Sequence, residues 1–179
     1  MIPQDSQFGL AIIGAGPDGY VAAIRCARLG LRTVLIDKRK ALVGTCLNFG
    51  CIPSKALLQS SGHYAFAGSH AAAEGIELGE VSLNLKTVLR KKNQVVAQLS
   101  GGVNILVKRR GIERLTGHAT LQGDRSILVQ TETVETRIQR INTILATGSA
   151  VVELPFFPMI PKPSSPATKP SPSTQSLRN

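Results

Sequence analysis

A glycine-rich segment near the N-terminus constrains the fold of this 179-residue chain more than any other feature. A short apolar run, residues 8–13, leads directly into a G-x-G-x-x-G motif. Residues 20–29 then favour a helix, Gly30 offers a helix stop, and a second apolar run follows at 33–36. This order predicts a β-α-β unit, in which two parallel strands are joined by a crossover helix. The glycines of the motif are Gly14, Gly16 and Gly19.

The same motif predicts a phosphate-binding loop. Gly14 permits the tight turn, Gly16 lets the backbone approach a pyrophosphate, and Gly19 lets helix and strand pack closely. The helix N-terminus adds free N–H groups and a partial positive charge. Asp37 ends the second strand, where an acidic residue accepts hydrogen bonds from an adenosine ribose. A glycine turn without a ligand is the alternative, and Asp18 either repels a phosphate or stabilises the first helical turn.

Two cysteines form the second candidate site. Cys46 and Cys51 are separated by four residues, and Pro53 suits the first turn of a helix that begins at the second thiol. The N-terminus of that helix and the cation of Lys55 favour a Cys51 thiolate, the form that takes part in disulfide exchange. The pattern therefore predicts redox chemistry.

Zinc binding is the competing interpretation of these thiols, but two cysteines without a second ligand pair are poor tetrahedral ligands. His63, His70 and His118 do not follow metal-ligand spacing, so no metal site is predicted and the histidines are interpreted as solvated or packing residues. Cys26 lies within the first predicted helix and is interpreted as a small buried packing residue.

The remaining chain extends the α/β pattern. Apolar residues recur at helical spacing over 85–106, and Gly101 and Gly102 are expected to loosen or end that helix early. Runs at 115–121 and 127–131 predict a small antiparallel hairpin or meander, and 144–148 returns to a buried-strand pattern. The predicted fold class is α/β, a Rossmann-like domain with a parallel sheet plus a small antiparallel β-meander.

Composition narrows the function classes. The formal net charge is +10, but the basic run 86–92 lacks interleaved aromatic residues, so a solvated helix face is favoured over nucleic-acid binding. No apolar run approaches the length of a membrane span, and no signal peptide is evident. Three cysteines are a poor disulfide scaffold, so a reducing, cytoplasmic location is expected.

Residues 161–179 are rich in Pro and Ser and are expected to be disordered.

Three segments together resemble a known family. Residues 14–24, Asp37 and the stretch 44–58, with its Cys-x4-Cys-x-Pro-Ser-Lys string, are similar to the flavin-dependent pyridine nucleotide-disulfide oxidoreductases. Leu47, Ile52 and Ser54 favour the branch that oxidises dihydrolipoyl groups over the branch that reduces glutathione. The resemblance extends from residue 8 to about residue 160.

The resemblance implies FAD as cofactor and a redox-active disulfide between the two thiols. Cys46 is implied to exchange with the dithiol substrate, and Cys51 to face the flavin. The resemblance divides the chain into a partial FAD-binding domain, residues 1–160, and a tail, residues 161–179. The implied cofactor-binding residues are Gly14, Gly16, Gly19, Asp37, Lys38, Gly44, Thr45, Cys46, Lys55, Ala119, Thr147 and Gly148.

The resemblance also implies features that this sequence lacks. Complete members pass electrons from a protein-bound dihydrolipoyl partner to NAD, and they dimerise through a further domain that carries a His-Glu base pair. This sequence has neither a second dinucleotide fingerprint nor that domain, so the chain is expected to be the FAD-binding, disulfide-bearing part of such an enzyme and inactive alone. The alternative is a truncated or frameshifted remnant without catalytic function.

One substitution departs from the family pattern within the cysteine segment. Val43 occupies the position of the first glycine in the family's Gly-Gly-Thr-Cys. If this position requires a positive φ, a β-branched residue there is strained.

Overall fold

The computed structural model describes residues 6–131 and 133–149. Within them, six strands form one sheet in the order β3-β2-β1-β6-β5-β4. The predicted α/β class is confirmed. The strands are β1 (Ser6–Ile13), β2 (Thr33–Asp37), β3 (Glu113–Thr116), β4 (His118–Leu121), β5 (Ser126–Gln130) and β6 (Glu135–Leu145). The α-helices are α1 (Pro17–Arg28), α2 (Gly44–Asn48), α3 (Cys51–Ser69) and α4 (Leu85–Arg109), and a 3₁₀ helix spans Ala71–Glu74.

The β1-α1-β2 unit forms as its sequence predicts. β1 pairs in parallel with both β2 and β6, and β2 pairs in parallel with β3. The centre of β1 and most of β2 are buried, which explains their continuous apolar runs. Pro17 starts α1, and Gly30 follows its end with a φ of +85°, a conformation open to glycine.

The chain from 113 to 121 differs from the single run that its sequence predicts. Gly117 divides it into β3, which joins the parallel part of the sheet, and β4, which pairs antiparallel with β5. The Gly117 N–H donates to the Asp37 carbonyl at 3.0 Å, and a Cβ at Gly117 would lie 2.6 Å from the Gln130 carbonyl oxygen. Only glycine fits this crossing point between the two halves of the sheet. The antiparallel meander itself is confirmed as β4-β5-β6.

The long helix α4 continues past its glycines. Its N-cap is Asn84, whose side chain accepts from the Thr87 N–H at 3.0 Å. Gly101 and Gly102 lie inside the helix, which continues to Arg109. Val107 in its last turns is fully buried in the core that β1, β2 and α1 also line, so tertiary packing offsets the low helix propensity of glycine.

The sheet packs on both faces. One cluster joins Leu10, Ile12 and Leu35 to the helices, and the other joins Phe8 and Ile36 to the meander strands. The carboxyl ends of β1, β2 and β6 meet at one edge, the usual ligand edge of such a sheet. No helix in 6–131 or 133–149 is long and apolar enough to cross a membrane. The predicted tail at 161–179 and the boundary at 160 lie outside the described residues.

Candidate functional site

The loop after β1 is built from two glycines that the protein's own packing requires. Gly14 has a φ of +106°, and a Cβ there would lie 2.0 Å from the Ala146 carbonyl oxygen. A Cβ on Gly19 would lie 1.8 Å from the Gly14 carbonyl oxygen. Because both positions exclude any side chain, β1, α1 and the end of β6 approach one another closely at this edge.

Gly16 differs from its two neighbours in the motif. Its φ is −68°, which any residue adopts, and a Cβ there would meet no heavy atom within 4 Å. The protein's own packing therefore gives no reason for glycine at 16. An external group that approaches the backbone at the start of α1 does give one, and free N–H groups at a helix N-terminus suit a phosphate. This open position fits the diphosphate of a dinucleotide.

The carboxylate of Asp37 is held by main-chain donors. Its Oδ2 accepts from the Ala15 N–H and its Oδ1 from the Arg39 N–H, each at 2.8 Å. Nε of Arg39 lies 3.6 Å from Oδ1, and the Asp37 side chain is only 9% exposed. Each carboxylate oxygen has a further lone pair, so the group can still accept from a ribose hydroxyl.

A cleft of about 190 Å³ opens at this edge of the sheet. Its lining brings together residues that are far apart in the sequence, from the ends of β1, β2 and β6 and the start of β4. Five residues that the resemblance implies for cofactor binding lie there: Gly14, Asp37, Lys38, Ala119 and Thr147.

Sequence reasoning missed other residues of the cleft. Arg39 and His118 also line it, beside Gly117, at which the family's Gly-x-Gly position around Ala119 begins. Nε of Arg39 is buried without a hydrogen-bond acceptor among the described residues, which leaves a cationic donor at the cleft. Three successive basic residues after Asp37 were the available signal for Arg39. His118 carried no local signal, because its place depends on the pairing of β4 with β5.

The two predicted thiols are neighbours. Cys46 lies in α2 and is half-buried, whereas Cys51 begins α3 and is exposed; both are free thiols. A side-chain hydrogen bond to Cys51, together with burial, raises the pKa of the Cys46 thiol. The Cys51 N–H and the Lys55 cation act on this pKa in the opposite direction. The arrangement keeps a proton on Cys46 and is that of a dithiol able to close into a disulfide.

The structure meets the condition stated for Val43, because the φ of this residue is positive, at +75°. The side chain is fully buried, and the Val43 N–H donates to the Ala15 carbonyl at 2.8 Å. Gly44 is also left-handed, with a φ of +61°, and a Cβ there would lie 2.7 Å from Cα of Gly16. The segment that carries the dithiol is therefore anchored directly on the glycine loop.

Other predicted residues lie apart from the cleft. Gly16 and Gly44 contact each other beside it, while Gly19 packs on the loop backbone. Asp18 is exposed in the first turn of α1, and Cys26 is half-buried against the core. The residues outside the lining of the cleft are Gly16, Gly19, Gly44, Thr45, Cys46, Lys55 and Gly148. Within the part of the chain that is described, no group of three His, Cys, Asp or Glu side chains could hold a metal ion.

Comparisons with known proteins agree with this geometry. The family model described as pyridine nucleotide-disulphide oxidoreductase matches residues 8–170. Mitochondrial dihydrolipoyl dehydrogenase of Sus scrofa is 43% identical over 152 residues, which are 82% of this chain and 29% of that protein. The Homo sapiens protein of the same name is 41% identical over the same shares. The chain thus spans less than a third of the length of these relatives.

A solved structure shares the fold. The Cu(II) complex of the HOCl-induced flavoprotein disulfide reductase RclA from Escherichia coli matches with a TM-score of 0.69 and 24% identity. The match covers 84% of this chain and 30% of the other. It supports the Rossmann-like arrangement of the described residues.

Proposed function

Because this chain belongs to the pyridine nucleotide-disulphide oxidoreductase family, we propose that it forms the FAD-binding, dithiol-bearing part of a dihydrolipoyl dehydrogenase-type flavoprotein. The observation that carries the proposal is the contact of the two sites. Cys51 raises the pKa of the Cys46 thiol, and the segment that carries both cysteines is bonded to the dinucleotide loop from the Val43 N–H to the Ala15 carbonyl. Such a contact is what electron exchange between a dithiol and a bound dinucleotide requires.

The adenosine diphosphate half of FAD fits the residues at the ligand edge. The open backbone at Gly16 and the start of α1 would hold the pyrophosphate. Asp37 would accept from the ribose, and Lys38 and Ala119 would line the adenosine cleft. Thr147, with Gly148 beside it, would border the cofactor from the end of β6. When bound, FAD supplies an acceptor for one electron pair.

The other half of the proposed site belongs to the dithiol segment. Gly44 and Thr45 begin α2 beside Gly16, so they would border the cofactor where it leaves the loop. Lys55 follows Cys51 by one turn of α3, and its cation lowers the pKa of the Cys46 thiol. We propose that this cation stabilises a thiolate released from the disulfide.

The proposed exchange balances without a further reactant. One thiolate of a dihydrolipoyl group attacks Sγ of Cys46 in the oxidised pair, and Cys51 leaves as a thiolate. The second dihydrolipoyl sulfur then attacks the mixed disulfide and releases Cys46. The substrate loses two electrons and two protons, and the cysteine pair gains them.

The first test is flavin retention. The full chain is incubated with FAD and desalted, and its visible absorption spectrum is recorded. We expect roughly one flavin per chain and a free-thiol titre that falls when the cysteine pair is oxidised. A protein that retains no flavin and forms no Cys46–Cys51 disulfide contradicts the proposed function.

A second proposal concerns what this chain does alone. The chain spans 29% of the length of the relatives named above, and no second dinucleotide fingerprint follows Cys51 in it. We propose that the isolated chain exchanges electrons with a dithiol but does not reduce NAD. Absorbance at 340 nm, followed with dihydrolipoamide and NAD, is expected to stay flat. NADH formation by the purified chain contradicts this proposal.

A reducing compartment remains our proposal for its location, with the cytoplasm as the specific expectation from the cysteine count. The names of the two mammalian relatives place those proteins in mitochondria. Fractionation of cells that produce the tagged full chain distinguishes the two compartments. Recovery with the mitochondrial fraction contradicts the cytoplasmic proposal and leaves the dithiol chemistry unaffected.

A further inference from the structure

Asn48 lies between the two cysteines, as the last residue of α2, and its side chain points back across the helix start. Its amide Nδ2 donates to the Leu42 carbonyl at 3.0 Å and to the Gly44 carbonyl at 2.8 Å. These two carbonyls flank Val43. We propose that Asn48 is a positioning residue for the Cys46–Cys51 dithiol, which it serves by holding the left-handed turn at Val43 and Gly44; this inference rests on the proposed dithiol function.

The turn needs such a support. Val43 has a φ of +75° and Gly44 a φ of +61°. A left-handed conformation is unfavourable for an ordinary L-residue, and β-branching adds to this. Such a conformation persists only where its surroundings fix it. Here the Val43 N–H is bonded to the Ala15 carbonyl. The side chain of Asn48 is bonded to the carbonyls of Leu42 and Gly44, the residues before and after Val43.

The turn determines where Cys46 lies. α2 has only five residues, too few to be stable by its own hydrogen bonds. Asn48 joins the last residue of this helix to the chain before it, so the segment that contains Cys46 becomes a closed loop. Its other end is fixed by the Gly50 N–H, which donates to the Thr45 carbonyl at 2.9 Å. The loop thereby holds Sγ of Cys46 near the start of α3, where Cys51 lies.

The test compares two asparagine variants in the full chain, each in a Cys26→Ala background so that only the pair is titrated. Asn48→Ala removes both bonds. Asn104→Ala is the matched control, because the Asn104 amide also donates to a backbone carbonyl, that of Ser100 at 2.9 Å, in a helix that lacks the dithiol. Each protein is equilibrated with glutathione redox buffers. One glutathione disulfide is reduced to two thiols for every cysteine pair that is oxidised.

We expect Asn48→Ala to lower the equilibrium constant for Cys46–Cys51 disulfide formation about tenfold, a shift of ~30 mV for a two-electron couple. Asn104→Ala is expected to match the parent within about twofold, a margin well inside the tenfold step. Equal constants for Asn48→Ala and the parent overturn the positioning role while the dithiol function stands. A parent protein that forms no disulfide in these buffers contradicts the dithiol function itself.

A second substitution separates positioning from general stability. Glycine adopts the left-handed region freely, so Val43→Gly should reduce the need for the Asn48 bonds. We expect the tenfold effect of Asn48→Ala to shrink to about threefold or less in the Val43→Gly background. Independent effects of the two changes overturn the inference.

Folding of each variant is checked by far-ultraviolet circular dichroism. If Asn48→Ala does not fold, Asn48→Asp replaces it, since aspartate keeps the size of the side chain and loses the donors. If neither variant folds while Asn104→Ala does, Asn48 is required for the fold itself and the positioning role is overturned.

Discussion

The main-chain N–H of Val43 donates to the main-chain carbonyl of Ala15 at 2.8 Å, and this bond joins the dithiol segment to the glycine loop. On the other side of the same loop residue, the Ala15 N–H donates to Asp37. Ala15 is completely buried. The proposed ribose acceptor and the start of the cysteine segment are therefore linked through one residue of backbone.

The open space at Gly16 predicts a separation of binding from stability. Gly16→Ala adds a Cβ where the protein has room. The free energy of unfolding should therefore stay the same or rise by up to about 1 kcal/mol, and the melting temperature should stay the same or rise with it. The retained FAD measured after desalting should fall at least tenfold, because the added methyl occupies the proposed place of the pyrophosphate.

Two glycines act as controls for that variant. Gly62→Ala, also in open space, should leave flavin retention unchanged. Gly19→Ala should fail to fold or lose several kcal/mol, since its Cβ would lie 1.8 Å from a carbonyl oxygen. Flavin retention by Gly16→Ala equal to that of the parent contradicts a phosphate at this loop.

The left-handed conformation of Val43 predicts an unusual order of stabilities. At an ordinary buried position, glycine is less stable than alanine by roughly 0.5–1 kcal/mol. At position 43, relief of the left-handed strain, about 1–2 kcal/mol, should make Val43→Gly at least as stable as Val43→Ala. Urea unfolding measures both.

Val34 is the matched control for this comparison, since it is a fully buried valine within an extended strand. There, Val34→Gly should be clearly less stable than Val34→Ala. The same order at both positions contradicts strain at Val43.

The lowered pKa of the Asp124 carboxyl predicts that the free energy of unfolding decreases at acid pH. Hydrogen bonds from the side chain and the backbone of Ser126 lower the pKa of this carboxyl below its ordinary value of 3.8. A lowered pKa in the folded state contributes stability that is present above the unfolded pKa and is lost as the pH falls through the folded pKa. Ser126→Ala should therefore lower the urea midpoint at pH 6, and its difference from the parent should shrink as the pH falls below about 4.

A serine without a carboxylate partner is the control for that prediction. The Ser60 hydroxyl donates to the Ala56 carbonyl at 3.2 Å, so the effect of Ser60→Ala should not vary with pH over this range. A difference between Ser126→Ala and the parent that is constant from pH 6 to pH 3 contradicts the assignment to Asp124.

The sulfur pair predicts a change in thiol reactivity. The Cys46 pKa is raised above its ordinary value of 9.0 chiefly by the side-chain hydrogen bond to Cys51. Cys51→Ala should lower that pKa, so the pH profile for alkylation of Cys46 by iodoacetamide should move to lower pH. Mass spectrometry of the labelled peptide gives the rate. Cys26→Ala should leave the profile in place, and a profile unmoved by Cys51→Ala shows that the thiols do not interact.

Local patterns were sufficient for several elements. The first β-α-β unit, the start of α3 at Cys51 and the long helix α4 follow from apolar spacing, glycine positions and proline, which act within a few residues. The run at 115–121 could not be divided in the same way. Its two halves have similar composition, and they separate because their partners, β2 and β5, lie on opposite sides of the sheet.

The residues of the cleft differ in the same way. Some could be found from short sequence motifs, and others depend on contacts between segments that are distant in the sequence. Asp37 and Gly14 were recognisable because each belongs to a motif with fixed spacing. Arg39 lies in the basic run that follows Asp37, whereas His118 enters the lining through the pairing of β4 with β5, which no short pattern encodes. The short helix α2 was also absent from the predicted elements, since its five residues depend on Asn48 and on contact with the glycine loop.

The sequence by itself determined the family resemblance, the α/β class, the glycine loop and the identity of the two thiols, because these depend on residue types at short, fixed spacings. Only the tertiary structure decided that Val43 is left-handed, that its N–H is bonded to Ala15, and that the cysteine segment lies against Gly16. The physical reason is that backbone hydrogen bonds and close approaches between distant segments depend on how the elements pack together, which short sequence patterns do not specify.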